Sequence, residues 1–483
     1  MAAAASRRRD KLAGGSSVGP RGTPDHRDPT AKSEGIRMRS LIHRRARFAP
    51  ACLKALTAIA LAVPALGFAQ SLQELYEAAR GYDASYLAAR ALAESAEFRA
   101  AQAEALNRPS ANITAGANAE VIDVPTIGTG DSYTTQASIN GRYPLFNRAN
   151  QRTIDQARKA FEAARADLEM AEQDLIVRVG QAYFDVLAAQ DTLSATNADK
   201  TAIAEQLASA KRNFEVGTAT ITDTREAQAR FDLRSAQVIA AENELRNRRL
   251  ALDQLVGRLG VAPKGLALPV PLPDTVRGDA DLWVREADAL HPVVRKARLG
   301  LDVATLETEK ARAAELPTLD LVATLGSSQG NGTAVAIGGL TTRSGIGVQL
   351  NWPIYTGGAT QNRIKETLSL EEKSRNDLET ARRGVALNTR VAYNSVQSLL
   401  AQVTALEAAE SSTKLALEAT QLGYKVGVRV NLDVLNAQTQ LYATQRDLAR
   451  ARYDVLVGYL RLRQASGQLS LTDVDRVNRL LLQ

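Results

Sequence analysis

Side chains able to make or break bonds are scarce in this chain of 483 residues. Its single cysteine, Cys52, and two of its three histidines fall before residue 70, so only His291 lies beyond it. A histidine-built metal site is therefore not expected, nor is a cofactor, and no Ser/His/Asp constellation converges in spacing. His291 precedes Pro292 and reads as a solvated helix start. Carboxylates are dispersed over helical faces, which argues against an enzyme. What does recur is a set of polar groups at two bends: F-E-V-G-T-A-T-I-T-D at 214–223 returns as Y-K-V-G-V-R-V-N-L-D at 424–433, an offset of 210. The same offset takes Tyr183 to Tyr393 and Gln228 to Gln438. Thr222, Asp223, Tyr424, Arg429 and Asp433 can hold hydrogen bonds and present charge, and Asp223 and Asp433 read as helix N-caps.

Each bend interrupts a very long helix. Residues 147–215 contain no proline and one glycine, Gly180; at ~1.5 Å per residue a continuous helix there spans on the order of 100 Å. Its apolar positions step by 3 and 4 from Ile154 through Phe161 and Leu168 to Leu175, then from Val179 to Leu193 after one shifted step. That is coiled-coil spacing with a phase slip, its seam rich in alanine. The helix restarts at Asp223 and runs to about 256; the second copy runs from 359 to 425 and restarts at Asp433. An opening helix is expected over 72–106, mirrored by 291–315, with Asp83 and His291 in correspondence.

Ahead of each long helix the period changes to 2. Ala111, Ile113, Ala115, Ala117, Ala119 and Val121 alternate with Asn112, Thr114, Gly116, Asn118 and Glu120, and 133–143 repeats the pattern. A second hairpin is predicted from 318–326 and 345–352, Val322 breaking its polar side, with loops at 123–132 and 327–344. The aromatic-proline turns Y-P-L-F at 143–146 and W-P-I-Y at 352–355 lead from strand into helix. Strict alternation suits a membrane barrel wall, whereas one hairpin alone favours a half-buried strand of a soluble sandwich. Four strands are too few to enclose a membrane pore, so closure requires oligomerisation.

The chain divides by composition. Residues 1–37 read as a disordered leader or as an extension upstream of a start at Met38, and 38–69 as a signal peptide with a charged region, an apolar run and a small-x-small cleavage site. The first repeat spans 70–260, a proline-rich linker 261–280, the second repeat 281–468 and a tail 469–483. Removing 1–69 takes away 13 Lys/Arg and 4 Asp/Glu, leaving 47 against 49, so the net charge of +7 becomes about −2. The basic balance belongs to the leader, and nucleic-acid binding loses its electrostatic case.

Duplicated halves, the two bends and the two aromatic-proline turns together resemble the TolC-like outer-membrane efflux protein family, the channel-tunnels of Gram-negative bacteria. The resemblance covers 70 to about 466. It implies an α+β membrane protein: a homotrimer whose 12-stranded outer-membrane β-barrel, four strands per chain, continues into a long α-helical coiled-coil periplasmic barrel. It implies a non-enzymatic exit duct for efflux or type I secretion, set in outer-membrane lipid and working with a periplasmic adaptor (membrane fusion protein) and an inner-membrane ABC or RND-type transporter. Motif matching puts Asp433 in the ring lining the entrance and Asn436 at the position of a second, usually acidic, ring, which weakens cation selectivity. It also puts Tyr424 near Asp223 and Arg429 near Thr222 as gating links, beside the reading of those aspartates as caps. Tyr133, Tyr143, Phe146, Trp352 and Tyr355 are candidates for the interfacial aromatic belt, Phe146 and Tyr355 equally for packing the barrel mouth. The alternative from another class is a periplasmic coiled-coil adaptor or structural rod.

Overall fold

Two runs of the same element types follow from two copies of the same pattern. The computed structural model describes residues 70–125, 128–267, 279–332 and 339–482, all within the unit Leu66–Gln483; the readings of 1–37 and 38–69 lie outside the described residues. The first copy runs α1 (Leu72–Tyr82), α2 (Ala84–Glu104), β1 (Ser110–Val124), β2 (Gly128–Phe146), α3 (Arg148–Glu215) and α4 (Ile221–Val256). The second runs α5 (Ala280–Leu290), α6 (Pro292–Ala313), β3 (Thr318–Gly332), β4 (Gly339–Asn351), α7 (Ala359–Lys425) and α8 (Asn431–Ala465), and α9 (Leu471–Asn478) closes the chain. The long helices α3 and α7 have 68 and 67 residues.

The four strands form one antiparallel sheet in the order β1-β2-β3-β4, so the two copies meet at β2 and β3 and each outer strand keeps one unpaired edge. Register decides the faces. Ile113 opposes Ile139, which opposes Leu325, and Gly141 opposes Ala323, which opposes Ile346. On the other face Asn112, Asn140 and Thr324 line up, and Thr114 shares a 2.7 Å hydrogen bond with Ser138. Ile113 is 75% exposed and Ile346 77%, so none of the described residues forms a second layer over the apolar face as a sandwich would require. Segments expected as loops are strand: β1 and β2 pair out to Val124–Gly128 and β3 and β4 out to Gly330–Gly339. Hairpin ladder bonds continue there through Gly, Ser and Thr, which carry no hydrophobic alternation to betray a strand.

The opening helix, predicted as continuous, breaks at Asp83. This residue is extended (ψ 116°), accepts from Tyr86 N at 2.8 Å and receives Arg178 on both carboxylate oxygens at 2.9 and 3.0 Å. His291 does the same between α5 and α6, its Nδ1 accepting from Val293 N at 3.1 Å. It is half-buried rather than solvated, because the chain at Gly467 (φ 71°) lies so near that a Cβ there would meet His291 Cα at 2.5 Å.

The main core surrounds the middle of α3. The predicted seam residues Leu175, Val179, Val186 and Ala189 are buried, but so are Ile176, Tyr183, Phe184 and Leu187 off the seam. The spacing predicts a one-sided seam; α1, α4, α8 and α9 instead cover several faces of this stretch. Gly180 lets α8 close in: a Cβ there would sit 2.8 Å from Leu460 Cδ1. The tail is part of this core through Leu469, Val474, Val477 and Leu481. Asp473, almost fully buried, accepts from Tyr459 Oη at 2.9 Å and pairs with Arg463 at 3.1 Å.

Candidate functional site

The two bends have one backbone. In each the last turn closes with a left-handed glycine, Gly217 and Gly427, both at φ 78°, a conformation that costs glycine nothing. Thr218 N returns to Asn213 O at 2.8 Å and Val428 N to Gly423 O at 2.9 Å, satisfying the terminal carbonyls. Side chains then diverge. Thr220, not Asp223, is the N-cap of α4; Asp223 sits three residues on, taking Thr220 N at 3.0 Å while Thr220 Oγ1 accepts from Asp223 N at 3.2 Å. Val430 caps α8 with no side-chain bond, so Asp433 is likewise inside the helix and its carboxylate pairs with Arg429 at 3.6 Å. Both aspartates were expected as caps themselves. The helices start three residues earlier because extended Thr220 and Val430 already precede a hydrogen-bonded turn.

The gating pairs expected from the resemblance have other partners within the protomer. Tyr424 Oη accepts from Asn213 Nδ2 at 3.3 Å, tying α7 to α3, while the Asp223 carboxylate is spent on Thr220. Thr222 is exposed in the first turn of α4. Arg429 is exposed, and its stem lies over Gly423, where a Cβ would come within 2.8 Å of its Cγ. Asn436 is exposed but engaged, its Oδ1 receiving Arg230 Nη2 at 2.9 Å.

A second set of polar groups begins at the start of α8 and reaches up α3 and α4. Asp199, 2% exposed, pairs with Arg234 at 2.6 Å, and Gln206 donates to Asn431. Burial raises the Asp199 carboxyl above its ordinary value, opposed by Arg234 and Arg230. Ile203, Leu207, Ala227 and Leu435 pack a small core beside it. Duplication could not reveal these groups, since the positions 210 later hold Ala409, Gln440 and Thr444 in place of Asp199, Arg230 and Arg234.

The aromatics separate by place. Tyr133 and Tyr143 share the apolar face of β2, and Trp352 donates Nε1–H to Glu315 O at 3.2 Å, stitching the strand exit to the end of α6. Phe146 ends β2 opposite Leu319, and Tyr355 is 88% exposed in the corner after Trp352. Among the described residues no cluster of three or more His, Cys, Asp or Glu could hold a metal, and no helix is long and apolar enough to cross a membrane.

The family model described as outer membrane efflux protein matches residues 75–258 and 283–468. The chain is 34% identical over 420 residues to outer membrane protein TolC of Vibrio cholerae serotype O1, covering 85% of this chain and 94% of the relative. It is 34% identical over 357 residues to the alkaline protease secretion protein AprF of Pseudomonas aeruginosa, covering 72% of each. The crystal structure of the outer membrane protein VceC from Vibrio cholerae superposes with a TM-score of 0.69 at 20% identity, over 82% of this chain and 96% of that one.

Proposed function

Because the chain belongs to the outer membrane efflux protein family, we propose that three copies close one twelve-stranded barrel and one helical tunnel. The protein is an outer-membrane channel of the efflux and type I secretion class, with a large periplasmic portion. The observation that carries the trimer is the sheet: four strands, two unpaired edges and an uncovered apolar face. Unpaired edges in hydrocarbon are too costly to persist, so β1 of one copy pairs with β4 of the next. Twelve is an even count within the barrel range, and eight would leave a lumen filled by side chains.

Tyr133 and Tyr143 stand ten residues apart on one face of β2. At ~3.4 Å per residue and a tilt of ~40° they are about 26 Å apart along the axis, close to the ~25 Å height of a lipid-facing band. They are assigned to its two borders, whereas Trp352, Phe146 and Tyr355 are assigned to the junction of barrel and tunnel. The bends form the far end of the tunnel, where exposed Val216, Val426, Val428 and Val430 offer an apolar rim to a periplasmic adaptor. Asp433 lines the entrance; Tyr424 and Arg429 help hold it shut, with Thr222 and Asp223 shaping the neighbouring bend. An inner-membrane transporter supplies the energy, and the channel itself needs no cofactor.

Fractionation of cell envelopes tests the assembly. A heat-dissociable trimer in the outer membrane is expected, and a processed chain that stays a soluble monomer without detergent would end the reading.

A further inference from the structure

The two free edges of the sheet carry opposite charges on one face. A row of the ladder runs through Thr114, Ser138, Gly326 and Arg343, all on the face where Thr114 bonds Ser138. Arg343 is the only charged residue of β4, and Glu120 the only one on that face of β1; Asp123 lies on the opposite face and accepts from Thr129. Glu120 and Arg343 are both exposed, and neither has an ion-pair partner among the described residues. Within the protomer they stand three strands and six positions apart, counting from Thr114 to Glu120. The charges between them on that face, Arg142 and Asp320, satisfy each other at 2.6 Å.

Where β4 of one copy pairs with β1 of the next, the strand ends set the shared row. With the hairpin ends level, Val124 of the next copy stands beside Gly339; four positions along, from 124 to 120 and from 339 to 343, Glu120 stands beside Arg343. With the helix ends level, Ser110 stands beside Asn351; eight positions along, from 110 to 118 and from 351 to 343, Arg343 faces Asn118, with Glu120 its diagonal neighbour. An odd displacement between these would turn the apolar face of β1 into the lumen. The two registers advance β1 by four or six positions beyond Thr114, and a tilt of ~35–45° over four strands ~4.8 Å apart calls for about 4–6. Opposite Cβ atoms are ~5 Å apart and diagonal ones ~7–8 Å, so long side chains reach each other in either register.

We propose that Arg343 of one copy and Glu120 of the next form an ion pair across each β4–β1 seam, three to a trimer, and that the pair selects the register in which the barrel closes. The lumen is wet, so the pair acts on the choice of register and partner more than on total stability. It also decides which edges join: β1 against β1, or β4 against β4, brings like charges together, whereas β4 against β1 brings opposite ones. This inference rests on the trimer reading above.

Cysteine pairs in the full chain, assembled in cell envelopes on a Cys52→Ser background, test the register. Oxidation of Arg343→Cys combined with either Glu120→Cys or Asn118→Cys should give disulfide-linked dimers and trimers, and combined with Thr114→Cys should give none. Charge reversal tests the pair. Glu120→Arg and Arg343→Glu should each lower the temperature at which the trimer dissociates in detergent, and the two together should recover most of that loss. A seam that cross-links at Thr114, no cross-link at either expected position, or a double reversal no better than its singles would each overturn the proposal. Parent trimers that form while these tests fail reject the ion pair alone; a parent that forms no trimer rejects the underlying reading.

Discussion

Asp223 and Asp433 occupy the same helical position in the two copies, 210 residues apart, but only Asp223 has a hydroxyl to bond. Thr220 supplies it at 2.7 Å; its counterpart Val430 cannot, and Asp433 turns to Arg429 at 3.6 Å. One bend is therefore locked by its own cap, and the other keeps a carboxylate and an arginine available for exchange.

Thr220→Ala should lose about 1 kcal/mol of local stability at the start of α4, the usual worth of an N-cap. Val430→Thr should give α8 the matching box. Amide exchange in the first turn of each helix reads both effects, faster for the first variant and slower for the second. Equal exchange in parent and Val430→Thr would mean that the box does not form.

Tyr424→Phe removes the oxygen that accepts from Asn213, and Arg429→Ser removes the partner of Asp433. Together they should raise single-channel conductance without lowering the amount of trimer in the outer membrane. A double variant that conducts like the parent removes the latch.

Asp433→Asn should reduce the preference for cations and blunt block by trivalent cations, since a charge ring at a constriction sets both. Asn436, proposed for a second lining position, carries no carboxylate to compensate. An unchanged reversal potential places Asp433 away from the narrowest point.

Glu307 should make the α3–α6–α7 junction sensitive to acid. Burial alone would raise its carboxyl, but bonds from Lys310, Gln156 and Arg363 outweigh that and hold it at about 2, below its ordinary 4.5. A depressed folded value stabilises above the unfolded one, so this contribution is present above pH ~4.5 and lost as pH falls towards ~2. Thermal dissociation of the detergent-solubilised trimer should fall over that window, less steeply for Glu307→Gln. Identical pH slopes would count against it.

Gly180→Val should destabilise by about 1–3 kcal/mol through overpacking, because its Cβ meets Leu460 Cδ1 at 2.8 Å. Leu460→Ala on that background should recover part of the loss. Denaturant midpoints of the two variants measure it, and a single variant as stable as the parent would place the helices further apart.

Period and punctuation are local properties, and they were legible in the residues alone. Gly217 and Gly427 announced the bends, 3–4 spacing with one phase slip announced α3 and the repeat announced α7, and alternation from Ala111 and from Tyr133 announced the wall and its two faces. Duplication at an offset of 210 did the rest, since each element had a second example to check it. Partnership was decided only in three dimensions. Arg142 meets Asp320 across 178 residues and Arg230 meets Asn436 across 206, and no spacing along one chain encodes which faces two packed helices or strands will share. The same holds for the break at Asp83, bound by Arg178, and for the all-round burial of Phe184, enclosed by helices from both copies. Local backbone preference writes the elements, but register between distant elements, set by packing, chooses the side chains that touch.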